Sequence, residues 1–146
     1  MPIYIEGKAF PGLDVESMAH RLGQLIDSED GPSDWDLSIR LVDDAEMAGL
    51  HNRWMGINSP TDVLSFGADN PDVPDIVEGS LGDVVVSIDT ADRQAEEHGI
   101  PVTAEIMLLA AHGTLHLLLY DDMDEESSQI MRAKEKEYVP EAFREV

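Results

Sequence analysis

The stretch IMLLAAHGTLHLLLYDD, residues 106–122, is almost unbroken in its apolar character, interrupted by His112 and His116 and closed by Asp121 and Asp122. It reads as a buried helix carrying a metal site. Side chains four positions apart leave a helix on one face, one turn apart, so the imidazoles of His112 and His116 can converge on one cation at about 2.0–2.1 Å. A chain that turns back after Tyr120 brings the Asp122 carboxylate over the same face as a third ligand. Three protein ligands leave one coordination position open, which is the arrangement of a catalytic zinc rather than a structural one. Two histidines so spaced also serve core packing or simple hydrogen bonding. Burying both on one face, however, is unfavourable unless each finds a partner, and a shared cation beside an acidic pair satisfies both. An HExxH peptidase would carry its glutamate base directly after the first histidine; Gly113 stands there, which removes that chemistry.

Outward from this helix, helical and extended patterns alternate. Pro2 to Glu6 reads as a short strand. Asp14 caps a helix ending near Ser28, with Val15, Met18, Leu22, Leu25 and Ile26 at helical spacing. A turn follows over residues 29–34, and Trp35, Leu37, Ile39 and Leu41 define one face of a strand running to Val42. A helix from Asp43 uses Met47, Leu50 and Trp54 and breaks at Gly56. Extended structure resumes over Thr61 to Phe66, an acidic loop covers residues 67–79, and a Val-rich strand runs from Leu81 to Ile88. Asp89 or Thr90 caps a helix that Gly99 stops. Pro101 and Thr103 start the histidine helix, and a last helix begins at Asp124, Glu125 and Glu126 and runs to about Tyr138. The expected fold is α+β: a small mixed β-sheet with helices packed around it and the buried histidine helix at the centre.

The 146 residues fit a single domain, 1–146. Cysteine is absent, so any metal must be held by His, Asp or Glu, and thiolate sites and disulfides are excluded. No basic region followed by an apolar run opens the chain, and a cytoplasmic location is expected. The apolar run 104–119 is shorter than the roughly 20 residues of a membrane span and contains Glu105 and both histidines, so a core helix is expected and no membrane partner. Nine Lys and Arg stand against 31 Asp and Glu, a formal charge of −22. That balance is far from the one a protein held on phosphates by charge alone would carry.

Three blocks, in order, resemble one family. Residues 112–122 are similar to the HGxLHLxGYDH signature of the YbeY family of metal-dependent endoribonucleases; residues 60–66 (PTDVLSF) and 81–87 (LGDVVVS), the latter followed by Ala91 to Gly99, look like two further blocks of that family. The resemblance implies a mixed sheet with surrounding helices, one Zn2+ on the signature positions His112, His116 and Asp122, and a single-strand-specific endoribonuclease of ribosomal RNA maturation and ribosome quality control. Its implied partners are single-stranded or ribosomal RNA, with ribosomal proteins beside them and no DNA. His112, His116 and Arg53 are the implied catalytic residues, Arg53 as the phosphate contact, because Met55 stands where the family has an arginine. Two departures bear on the third ligand. Asp122 replaces a histidine, and being shorter and anionic it needs a closer approach and lowers the Lewis acidity of the cation. Leu119 replaces a glycine where the helix must end and the chain turn, which implies strain of about 1 kcal/mol or a differently shaped turn. The alternatives from other classes are a non-catalytic ribosome- or protein-binding factor with an impaired metal site, and a metal-dependent hydrolase of another substrate. Thr61, Asp62 and Ser65 are secondary candidates for substrate contact. Asp83 is expected to be a structural acceptor, and His20, His51 and His98 are expected to be ordinary surface residues.

Overall fold

Period-two alternation builds the sheet. In β2 (Asp36–Val42), Leu37, Ile39 and Leu41 are buried on one side while Ser38 and Arg40 lie on the other. The computed structural model describes residues 2–8, 10–31, 36–57, 61–67 and 80–143. The expectations for Trp35, Pro60 and the acidic loop beyond Gly67 fall outside these. The remaining elements are β1 (Ile3–Gly7), α1 (Val15–Ser28), α2 (Asp44–Met55), β3 (Val63–Gly67), β4 (Ser80–Ser87), α3 (Ile88–His98), α4 (Val102–Leu117) and α5 (Glu125–Tyr138), followed by a 3-10 turn at Pro140–Phe143. The sheet order is β1-β2-β4-β3; β1, β2 and β4 run parallel and β3 pairs antiparallel with β4. The mixed sheet and its helices make the fold α+β.

Alternate residues of β4 face different layers. Val84 and Val86 join the main core with α1, α4 and α5, whereas Val85 packs with Leu64, Phe66 and Met47 under α2. Helix α4 thus covers one face of the sheet and α2 the other. Helix α4 is buried on nearly all sides, including Ile106, Ala110, Ala111 and Leu115, as its composition requires. It approaches the sheet closely at Gly113, where a Cβ would lie 2.5 Å from Val84 Cγ1 and 2.9 Å from Ser65 Oγ. Ser65 uses that proximity to donate to the Gly113 carbonyl at 3.0 Å. Among the described residues, no single helix is long and apolar enough to cross a membrane.

Several boundaries differ from the sequence reading. The apolar run ends as a helix at Leu117, so Leu118 to Asp122 form a turn. Val15 is exposed rather than part of the α1 core face. The cap of α3 is Ser87, whose Oγ accepts from Thr90 N–H at 3.3 Å, and not Asp89 or Thr90. Asp89 instead accepts from the Asp44 N–H at 3.0 Å, serving the start of α2; periodicity along one helix cannot reveal a cap given to another.

The junction of α2 and α3 centres on Asp44. Its carboxylate accepts from Ser87 Oγ at 2.7 Å and Thr90 Oγ1 at 2.6 Å and pairs with Arg93 at 2.8 Å. Burial opposes its charge, and these three donors overcome that, holding the carboxyl at about 2. A depressed folded pKa adds stability that is complete above the unfolded value near 3.9 and disappears as pH falls through about 2. Asp44→Ala is therefore expected to cost about 1–2 kcal/mol near neutrality. Urea unfolding across a pH series should show this gap narrowing below about pH 4; a gap independent of pH would assign the loss to packing instead.

Candidate metal centre

Helix α4 presents His112 and His116 side by side. Their Nε2 atoms lie 3.1 Å apart, the spacing expected when two ligands share a cation about 2.0–2.1 Å from each. The other ring nitrogen of each is engaged. His112 Nδ1 meets Glu135 Oε1 of α5 at 2.5 Å, and His116 Nδ1 meets the Tyr120 carbonyl oxygen at 3.0 Å. A carbonyl only accepts, so Nδ1 of His116 carries a proton and Nε2 is the nitrogen that can turn a lone pair to a cation when the ring is neutral. Glu135 does the same for His112 and is nearly buried, with 8% of its surface exposed. Burial pulls the His112 imidazole down, but the hydrogen bond and charge of Glu135, with Asp122 and Asp62 behind it, win and raise it above its ordinary value.

The third member is Asp122. Its oxygens stand 3.9 Å from His112 Nε2 and 4.0 Å from His116 Nε2. His112, His116 and Asp122 form the one group of three or more potential ligands among the described residues that could hold a metal. The donor set, two neutral imidazoles and a carboxylate, suits a borderline cation such as zinc. Asp122 reaches it from a turn with exposed surroundings, which leaves its oxygens wider apart from the imidazoles than these are from each other.

That turn has a defined cause. Leu119 takes a left-handed conformation, φ 75°; Leu119 N–H donates to His116 O at 3.0 Å and Tyr120 N–H to Leu115 O at 3.1 Å, the paired bonds of a Schellman motif. Leucine has simply been forced into the glycine conformation. The Tyr120 hydroxyl then donates to Glu29 Oε1 at 2.5 Å, and Tyr138 and Lys134 also engage that carboxylate, tying the turn to α1 and α5. Since the Leu119 side chain is 86% exposed, Leu119→Gly should lose little burial and relieve the strain. The net gain is expected at about 0.5–1 kcal/mol after the greater unfolded-state freedom of glycine is counted. A higher denaturation midpoint supports this, and an unchanged one argues against strain at 119.

Beside His112 a groove of about 260 Å³ is lined by Asp62, Gln94, His98, Glu105, Arg132 and Glu135 among others. Asp62 accepts from Gln94 at 3.3 Å and Ser65 is taken up by Gly113, whereas the Thr61 hydroxyl reaches Asp62 at 3.5 Å. His98 is exposed as expected but holds Glu105 at 3.2 Å; burial raises the Glu105 carboxyl and His98 opposes that. Arg53 is not brought to the histidines. It lies on α2, over the Trp54 ring, in a groove with Arg40 and Asp83 on the opposite face of the sheet.

A family model described as Endoribonuclease YbeY matches residues 8–142. The chain belongs to the YbeY family. The endoribonuclease YbeY of Pelotomaculum thermopropionicum is 38% identical over 143 residues, 94% of this chain and 94% of that protein. That of Desulfitobacterium hafniense is 37% identical, covering 90% of this chain and 84% of its own length. With the YbeY of Parasynechococcus marenigrum the identity is 50%, but the match spans half, 50%, of that protein's length. The solution structure of a Thermotoga maritima protein superposes with a TM-score of 0.68 at 27% identity, covering 97% of this chain and 89% of that one. Against the YbeY signature, the structure adds two residues that the motif reading missed, Glu135 and Arg132. Glu135 had a signal: with Met131 and Tyr138 it occupies one face of α5 at positions i, i+4 and i+7, a carboxylate on an apolar stripe. Nothing in the spacing of Arg132 pointed to the groove.

Proposed function

We propose that this YbeY-family protein is a metal-dependent endoribonuclease cutting single-stranded RNA, with Zn2+ as its cation and ribosomal RNA maturation and quality control as its setting. The observation that carries the reading is the pair of Nε2 atoms 3.1 Å apart, each with its Nδ1 engaged elsewhere. The relatives named above are themselves called endoribonucleases. A divalent cation on His112, His116 and Asp122 would supply Lewis-acid polarisation at a phosphodiester. The chain's own residues do the rest. Glu135 and the Tyr120 carbonyl keep both imidazoles in the tautomer whose Nε2 faces the site, and Arg132, in the adjoining groove, offers a guanidinium suited to a phosphate. A chain of charge −22 then meets RNA through few cationic points, and cleavage should fall steeply with salt.

The rival reading, a non-catalytic ribosome- or protein-binding factor, is favoured by one observation, the 3.9 Å and 4.0 Å stand-off of Asp122. Metal analysis of the gently purified protein, together with cleavage of a single-stranded RNA, tests both. About one equivalent of metal and cleavage abolished by chelation support the enzyme; metal-free protein that binds ribosomes without cutting RNA supports the rival. Asp122→His lengthens the third side chain and removes its charge. It is expected to tighten metal binding about tenfold, or 1.4 kcal/mol, and to speed cleavage, measured by metal titration and initial rates; weaker binding would mean that the turn is built for the carboxylate.

A further inference from the structure

The groove under α2 has a volume of about 300 Å³, at the lower end of the range for small-molecule sites, roughly 300–1,000 Å³. It lies on the sheet face away from His112 and His116 and shares no residue with the groove beside them. Its lining combines three chemistries. Trp54 and Phe66 form an aromatic wall, centroids 6.0 Å apart and tilted by 60°. Asp83 and Ser38 lie opposite one another on β4 and β2; the Ser38 hydroxyl donates to the Asp83 carboxylate, and Arg40 and Glu6 flank the pair. Arg53 lies with its guanidinium 4.9 Å from the Trp54 ring centre.

The described cations of this chain fall into two sets. Lys8, Arg21, Arg93 and Lys134 each pair with a carboxylate at 2.6–3.2 Å, as expected where acids outnumber bases 31 to nine. Among the described residues Arg53, Arg40, Arg132 and Lys136 form no such pair, and of these four Arg53 is the one laid against an indole. A guanidinium kept off every carboxylate and laid against an indole at the rim of a groove is available to an anion carried by a ligand with a planar ring. The ionised carboxylates of Asp83 and Glu6 across the groove only accept, so a ring seated there must present N–H donors. Guanine offers two adjacent ones, N1–H and the exocyclic amine; adenine places an acceptor beside its amine and would face Asp83 with a lone pair.

We propose that the α2 groove is a guanine-nucleotide site, with the base against Trp54 and Phe66, its N–H edge on Asp83 and its phosphate on Arg53, the nucleotide arriving either free or as one residue of an RNA strand. This goes beyond the cleavage reading and does not depend on it, because no residue of the metal centre takes part. A site of this kind would hold a guanosine away from the cutting site and so select which strands, or which nucleotide state, the protein responds to.

The test uses the full-length protein carrying Trp35→Phe, so that Trp54 is its sole indole, and His116→Ala, so that RNA is not cut. Titration with guanosine 5′-monophosphate, followed by Trp54 fluorescence and equilibrium dialysis, should show saturable binding at least about tenfold tighter than adenosine 5′-monophosphate. Arg53→Ala should weaken binding about tenfold and also remove the advantage of the nucleotide over guanosine. Asp83→Asn should erase the preference for guanine over adenine. Arg53 is exposed, so its variant keeps the fold, and circular dichroism checks this. A short single-stranded RNA with one guanosine, compared with the same strand lacking it and with the free nucleotide, assigns the source by whichever binds more tightly. The proposal is overturned by absence of saturable binding to any of these, by equal binding of the two mononucleotides, or by binding unchanged in both Arg53→Ala and Asp83→Asn.

Discussion

His116→Ala is expected to lower metal affinity by about 100-fold or more and to take RNA cleavage to background. Removing an outer-sphere partner of a ligand already costs 10–100-fold, and this substitution removes one of the three proposed ligands outright. His116 is the better target of the two histidines. Its Nδ1 reaches only the Tyr120 carbonyl of a surface turn, whereas replacing His112 strands the Glu135 carboxylate, 8% exposed, without its partner, and an unpaired buried charge destabilises the fold on its own account. The His116 variant therefore separates chemistry from folding. Metal content after dialysis, circular dichroism and cleavage of a single-stranded RNA are measured together. Cleavage that survives in a folded, metal-poor variant would mean a contaminating nuclease or a reaction that does not run through this centre.

Replacing Glu135 should give the second-largest effect, through position rather than ligation. Its Oε1 lies 2.5 Å from His112 Nδ1, where it fixes the ring orientation and adds negative charge behind the ligand, making Nε2 a better donor. Glu135→Ala is expected to weaken metal binding by about 10–100-fold and to cut cleavage accordingly at limiting metal. Glu135→Gln keeps an acceptor for the Nδ1 proton while losing the charge, so its loss should be the smaller of the two. Metal titration calorimetry reads the affinity, and rates at saturating metal read the chemistry. If Glu135 only positions His112, saturating metal restores the rate in both variants. Persistent loss with the site full would show that its charge acts on the reaction itself.

Much of this was legible along the chain because it depends on short-range spacing. The period of 3.6 places His112 beside His116 whatever surrounds them. The capping carboxylate at Asp14 accepts a backbone N–H within its own first turn and was visible for the same reason, whereas Asp43 and Asp124, read only as helix starts, prove to be caps of the same kind. Leu119 was legible as a conflict, a side chain at a position shaped for glycine, and its φ of 75° resolves the conflict in favour of strain. The cap of α3 was misread because Asp89 and Ser87 are both acceptable acceptors by type. The choice between them turned on Asp44, 43 residues from Ser87 in sequence.

The site divides in the same way. Sequence alone determined that two imidazoles share a helical face, that no thiolate or protease base accompanies them, and that the third signature position is a carboxylate. Tertiary structure alone decided that Glu135, 23 residues from His112, anchors that ring, that Asp122 stops 3.9 Å and 4.0 Å from the two imidazoles, and that Arg53 faces a different groove. The last follows from the parity of β4: Val84 and Val86 point to α4 while Asp83 and Val85 point to α2, so residues adjacent in the chain are separated by the thickness of a sheet. Local periodicity sets the face of an element on which a side chain lies, and only packing sets which other element that face meets.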